Sequence, residues 1–113
     1  MANQTKMDND RVVMITGASR GIGLAVAKEY AKQGAKVAIS GGSDKNALEQ
    51  ALASLRSINH EVSGELVNVR VKHAVEDWVN RTAKRFGGRI NIAISNAGVS
   101  MSVAQEEASN LPK

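Results

Sequence analysis

The sequence contains no cysteine, which excludes disulfides, thiolate metal sites and a cysteine nucleophile from its 113 residues. Aromatic residues are nearly absent too. Trp78, Phe86 and Tyr30 stand alone, so aliphatic and alanine side chains must carry the packing. The one proline is Pro112, near the end. No apolar run approaches the ~20 residues a membrane helix requires. Met1–Asp10 is polar, with one Lys and two Asp, and resembles neither a signal peptide nor a transit peptide. No basic stripe is present either. The net charge is +4, but the Lys and Arg are spread among eleven acidic residues and Lys84-Arg85 is the longest basic run. That pattern reads as a solvated, mildly basic surface, with neither a nucleic-acid nor a membrane partner. One domain's worth of chain, 42% hydrophobic, is expected to be soluble and cytoplasmic.

What the sequence does have is a glycine-rich stretch, Thr16-Gly17-Ala18-Ser19-Arg20-Gly21-Ile22-Gly23, directly after the apolar run Val12-Val13-Met14-Ile15. Ala25, Val26 and Tyr30 follow at helical spacing. A strand entering a glycine turn and then a helix makes an anion site, because backbone N–H groups and the positive end of the helix dipole converge there. Glycine lets a pyrophosphate approach the backbone without meeting a Cβ. The stretch therefore reads as the pyrophosphate cradle of a nicotinamide dinucleotide.

The rest of the chain alternates. Strands are expected at Val12–Thr16, Lys36–Ser40, within Val62–Val69, and at Ile90–Ser95. The first helix is expected from Gly21 to Gln33, with Gly34 at its C-terminal end. The second starts at Ser43 or Asp44 and buries Leu48, Ala51, Leu52, Leu55 and Ile58. The third, about His73–Phe86, places Val75, Trp78, Val79, Thr82 and Phe86 on one face. Such β-α-β-α-β-α-β order predicts an α/β fold, a parallel sheet with helices on both faces and strand order 3-2-1-4. The ligand crevice then opens at the carboxyl ends of strands one and four, where the order reverses. Both Thr16–Gly23 and Ser95-Asn96-Ala97-Gly98 fall there. Residues 11–98 form this domain, with polar tails expected to be disordered at 1–10 and polar at 99–113.

These residues resemble the short-chain dehydrogenase/reductase family over about Arg11 to Ser100. Its T-G-x-x-x-G-x-G motif is matched at every fixed position by Thr16–Gly23, and its N-A-G motif by Asn96-Ala97-Gly98. The resemblance implies a Rossmann-like domain in which Gly17, Ser19, Arg20, Gly21, Ile22 and Gly23 line the pyrophosphate and adenosine ribose, while Thr16 fixes the turn. Asn96, Ala97 and Gly98 would border the pocket, Asn96 also holding strand four in position. Asn68 stands where the family commonly has an Asp contacting the adenine amino group. Members that use NAD resemble one another in an acidic residue just after strand two, and here that position is Gly41. Members that use NADP often carry a basic residue where Arg20 stands and another after strand two, here Gly42. NADP is therefore expected over NAD, with Ser43 and Lys45 as auxiliary phosphate contacts. Asp44, about twenty residues past the motif, where a ribose ligand is sometimes found, reads as the cap of the second helix.

The family's reduction chemistry uses a serine, a tyrosine and a lysine, the last two spaced Y-x-x-x-K and tens of residues beyond N-A-G. Here the only tyrosine is Tyr30, four residues before Gly34, and it reads as a core-facing helix residue. No catalytic residue is assigned. The resemblance implies hydride transfer between NADP(H) and a ketone or alcohol, with this chain as the cofactor-binding part and its catalytic half missing. A truncation at this point would leave the isoleucine-rich edge of strand four open, implying a second copy or a full-length relative as partner. The alternative reading is a non-catalytic nucleotide-binding or interaction module. His60 and His73 lack metal-ligand spacing, Glu106-Glu107 reads as a solvated pair, and Arg81, Lys84 and Arg85 read as the wet face of the third helix.

Overall fold

The structure, a computed structural model, describes residues 11–96. The expected tails, together with Ala97 and Gly98, lie outside the described residues. In chain order the elements are β1 (Val12–Ile15), α1 (Gly21–Lys32), β2 (Lys36–Gly41), α2 (Lys45–Arg56), β3 (Val62–Leu66), α3 (Lys72–Arg85) and β4 (Ile92–Ile94). The strands form one sheet in the order β3-β2-β1-β4, and every pairing is parallel. Both the order and the alternation agree with the sequence expectation.

β1 is central and all four of its residues are buried. Successive side chains point to opposite faces, so Val13 and Ile15 enter one apolar cluster and Val12 and Met14 the other. Register with β2 is Val13↔Val37 and Ile15↔Ile39 on one face and Met14↔Ala38 on the other, which extends both stripes by one strand. The first cluster is the larger. It takes Ala27 and Ala31 from α1 and Leu48, Ala51, Leu52 and Leu55 from α2. The alanines let α1 lie close to the sheet, and the leucines fill the space under α2 at helical spacing. The second cluster is built by α3 alone among the helices, through Val75 and Trp78, with Phe86 just beyond its end.

Element ends have local causes. Asp44 caps α2, its Oδ1 accepting from the Ala47 N–H at 3.0 Å, as expected for that position. The α1 C-terminus is tied to the loop before β3, because Asn59 Nδ2 donates to Ala35 O at 2.7 Å and to Ala31 O at 3.3 Å. Arg81 on α3 grips Glu65 on β3 with two bonds of 2.6 and 3.0 Å, which joins this part of the wet face to the sheet edge.

Several boundaries differ from expectation. β4 is three residues long, whereas Ile90–Ser95 was expected. Asn91 ends the ladder early, because its side-chain Oδ1 accepts from Val12 N and its own N–H donates to Val12 O. Ile90 turns into the second cluster. Ile58 lies past the end of α2 and is exposed, so it is not part of the buried face. β2 continues one residue further, through Gly41, whose carbonyl accepts from Val67 N at 2.9 Å.

Trp78 is 1% exposed and its indole Nε1 has no hydrogen-bond partner. A buried donor left unpaired costs about 1–3 kcal/mol, which works against the large apolar area the ring buries. Trp78→Ala is expected to lower stability by about 3–5 kcal/mol. Trp78→Phe is expected to cost far less, because it removes the orphaned N–H along with part of the ring. Urea unfolding followed by circular dichroism compares the two. Equal losses would refute the expectation that a phenyl ring preserves most of the packing.

Candidate functional site

The turn between β1 and α1 is assembled by neighbours on both sides of it. From β2, the Ser40 carbonyl accepts from Ala18 N at 3.0 Å, and the Ser40 hydroxyl lies 3.4 Å from Gly17 N. From the end of β4, the Asn96 N–H donates to Thr16 Oγ1 at 3.0 Å, and Asn96 Nδ2 donates to Gly17 O at 2.9 Å. Thr16 N donates to Ile94 O at 3.0 Å, which carries the β1–β4 pairing one step beyond the strand. Thr16 is buried and holds the turn, as its place in the motif implied.

Within the turn Gly17 and Gly21 have φ of +64° and +63°, the left-handed region in which a side chain is strained. Gly23 is needed for a different reason. It lies inside α1, but a Cβ on it would run into Asn96 Nδ2 and would sit 2.7 Å from Gly17 O and 3.0 Å from Ala18 Cα. The helix can start beneath the turn only because that atom is absent.

α1 begins at Gly21, with Arg20 as an extended N-cap residue that makes no side-chain capping bond. Its first turn holds no acidic residue, and the Leu24 N–H donates to Arg20 O at 3.3 Å. The N–H groups of Gly21, Ile22 and Gly23 precede that bond, in the first turn, where N–H groups have no intrahelical acceptor. Ile22 is 76% exposed there, an apolar side chain at the rim of a polar turn. Gly17, Ser19, Arg20, Gly21, Ile22, Gly23 and Asn96 are thus gathered around one turn, at the point where strand order reverses. Such a point is where open α/β sheets hold their ligands.

Asn68 is placed apart, two residues beyond β3 and exposed. Its Oδ1 accepts from Arg70 N at 3.0 Å, in a local turn that leads into α3. That bond uses one of the two lone pairs of the oxygen. Past β2, Gly42 is open: a Cβ on it would meet nothing within 4 Å, whereas one on Gly41 would touch Leu66 and Leu48. Lys45 lies 4.0 Å from Glu49 on its own helix. Arg20 reaches across to Asp44, Nη2 to Oδ2 at 3.1 Å. The Ala47 N–H first, and the Arg20 guanidinium after it, hold the Asp44 carboxyl below its ordinary value. Tyr30 packs half-buried against the larger cluster, as its helical position implied. Among the described residues no group of His, Cys, Asp and Glu is placed to hold a metal ion, and no helix is long and apolar enough to cross a membrane.

The sequence motifs did not reveal Ser40 or Asn91. Ser40 closes β2 onto the turn, and Asn91 sets where β4 begins. A serine at the end of a strand and an asparagine beside an isoleucine run carry no spacing signal, since both partners are distant in sequence.

The glycine turn thus lies at the switch point of a parallel sheet with helices on both faces, the architecture of the doubly wound α/β class. The family model described as short chain dehydrogenase matches residues 11–111. An uncharacterized oxidoreductase of Staphylococcus saprophyticus is 35% identical over 98 residues, covering 87% of this chain and 42% of that protein. A dehydrogenase/reductase SDR family member from Bos taurus is 35% identical over 100 residues, 88% of this chain and 35% of that protein. Among solved structures, NAD+-bound xylitol dehydrogenase aligns with a TM-score of 0.75 at 34% identity, over 81% of this chain and 35% of its own. A point variant of actinorhodin polyketide ketoreductase with NADPH aligns at 0.72 and 30% identity, over 79% of this chain and 33% of its own. The chain belongs to the short-chain dehydrogenase/reductase family of oxidoreductases. It spans about two fifths of the length of these curated relatives.

Gly23→Ala tests the cradle by its sign. In an ordinary helix interior the change stabilises by about 0.8–1 kcal/mol. Here the added Cβ must displace the Asn96 amide from Gly17, so a loss of about 1–3 kcal/mol is expected, the range of overpacking. The urea midpoint of the variant measures it, and a stabilised variant would refute the close contact.

Proposed function

We propose that this chain is the cofactor-binding portion of an NADP(H)-dependent short-chain dehydrogenase/reductase that interconverts a ketone and an alcohol. The observation that carries the reading is the turn itself. Gly23 has no room for a Cβ, α1 opens directly after the turn with no acidic residue in its first turn, and Asn96 locks the arrangement from β4. A pyrophosphate fits such a cradle by accepting from the N–H groups near Gly21, Ile22 and Gly23. The chemistry that a nicotinamide dinucleotide supplies when bound is hydride transfer. This chain's own share is to bind and orient. The backbone of Gly17 and Ser19 shapes the pyrophosphate wall, Ile22 offers an apolar surface beside the ribose, and Asn96 borders the far side.

Preference for the 2′-phosphate rests on Arg20. The reading assigns its guanidinium to the adenosine-ribose end, and neither Gly41 nor Gly42 supplies a carboxylate against a phosphate. NADPH and NAD+ both occur among the structural relatives, so family membership alone leaves the choice open. Asn68, with its oxygen held by Arg70, is assigned a wall of the adenine pocket through packing and its remaining amide donor.

Proton donation to a carbonyl is not assigned to the chain. Tyr30, its only tyrosine, packs against the apolar core. Two outcomes are expected. Titration calorimetry shows NADPH binding at least tenfold tighter than NADH, and Arg20→Gln brings the two affinities within about threefold. The purified chain oxidises NADPH no faster with added ketones than without them. Preferred binding of NADH refutes the NADP assignment, and ketone-dependent turnover refutes the division of labour.

A further inference from the structure

Three polar residues are buried among the described residues, Thr16, Ser40 and Thr82, and two of them border the glycine turn. Thr16 follows β1 directly, and its place in the motif accounts for it. Ser40 belongs to β2 and lies outside the motif. It is 1% exposed, between Ile39 and Gly41, which are buried as well. A hydroxyl withdrawn from water into an apolar strand costs free energy unless it is hydrogen-bonded. Here it finds the turn. The ladder pairs Ile15 with Ile39, and one step further Ser40 reaches the start of the turn. Ser40 Oγ accepts from the Gly17 N–H at 3.4 Å, and the Ser40 carbonyl accepts from the Ala18 N–H at 3.0 Å.

These bonds act on two successive peptide planes. The Gly17–Ala18 plane is held at both ends, by Asn96 Nδ2 at the Gly17 carbonyl and by Ser40 O at the Ala18 N–H. The N–H of the plane before it, between Thr16 and Gly17, is held by the Ser40 hydroxyl. Gly17, at φ +64°, has no side chain to hinder rotation of that plane. An alanine at position 40 would keep the carbonyl bond to Ala18 and lose this one restraint.

We propose that Ser40 is a positioning residue for the cofactor: its buried hydroxyl fixes the Gly17 amide and so sets the affinity for the pyrophosphate portion of a dinucleotide. This rests on the dinucleotide reading above. Ser40 acts through Gly17 and not by touching the ligand. A turn already fixed in its binding shape loses less freedom when the ligand arrives, and the affinity is higher for it. The pyrophosphate is common to phosphorylated and unphosphorylated dinucleotides, so both respond alike. A ligand without it does not engage the turn.

Ser40→Ala removes the restraint, and Ser40→Thr keeps the oxygen. The first readout is amide hydrogen exchange of the full chain without ligand. In Ser40→Ala the Gly17 amide is expected to exchange about tenfold faster while the Ala18 amide changes less than about twofold, whereas a general loss of stability would speed both. In titration calorimetry Ser40→Ala is expected to weaken NADPH and NADH alike, by about three- to tenfold, and to leave adenosine 2′-monophosphate within about twofold. Ser40→Thr is expected to bring both dinucleotides back to within about twofold of the unaltered chain. Should circular dichroism show the alanine variant poorly folded, Ser40→Cys keeps the size of the side chain with a sulfur that accepts only weakly. Unchanged exchange at Gly17, or unchanged dinucleotide affinity, overturns the role of Ser40 alone. Failure of the unaltered chain to bind either dinucleotide overturns the dinucleotide reading and this inference with it.

Discussion

The bond from Asn96 Nδ2 to the Gly17 carbonyl, 2.9 Å long, is the contact on which the site depends. It joins the end of β4 to the turn after β1, and the backbone of Asn96 reinforces it through Thr16 Oγ1. A parallel sheet has no hairpin to bring its strand ends together; the crossover helices do that from a distance. Where strand order reverses, the chain leaves in opposite directions on either side of β1, and a gap opens. Asn96 bridges that gap from one side and Ser40 from the other. The glycine turn between them is thereby held open toward the crevice and closed toward the core.

The same contact explains the most restrictive position in the motif. Gly23 meets the Asn96 amide and the Gly17 carbonyl so closely that no larger residue fits. Helix propensity, which favours alanine, is overruled there by packing. The two family motifs are therefore two halves of one contact, the bond from Asn96 to Gly17, with which a Cβ on Gly23 would collide. Charge is arranged around that rigid centre more loosely. Arg20 and Asp44 meet at the exposed rim, where a guanidinium can change partners at little cost. The site thus combines a neutral, packed turn with a charged, exposed rim.

Covering of the sheet is uneven. α1 and α2 build the larger cluster on one face, and α3 alone builds the smaller one on the other. Trp78 compensates by size, although its indole N–H finds no partner. β4 pairs with β1 only, among the described residues, and its side chains are half-buried or exposed. These features accord with a chain that spans only part of the length of its relatives.

Periodicity determined the elements and their order. The β-branched run of β1, the leucine spacing of α2 and the Trp78 face of α3 each express a short-range pattern, and a local pattern needs no partner to be read. The glycine stretch likewise announced a turn between strand and helix. What the tertiary structure alone decided were contacts between residues far apart in the chain. Asn91 shortens β4 by bonding Val12, Ser40 closes on the turn from β2, and Asn59 pins the end of α1. Nor could spacing show that Asn68 would spend its oxygen on Arg70, or that Asp44, legible as a helix cap, would also take hold of Arg20. A hydrogen bond has a reach of about 3 Å in space and no fixed reach in sequence. For that reason the turn and Asn96 could be read from the chain, while Ser40, Asn91 and Asn59 could not.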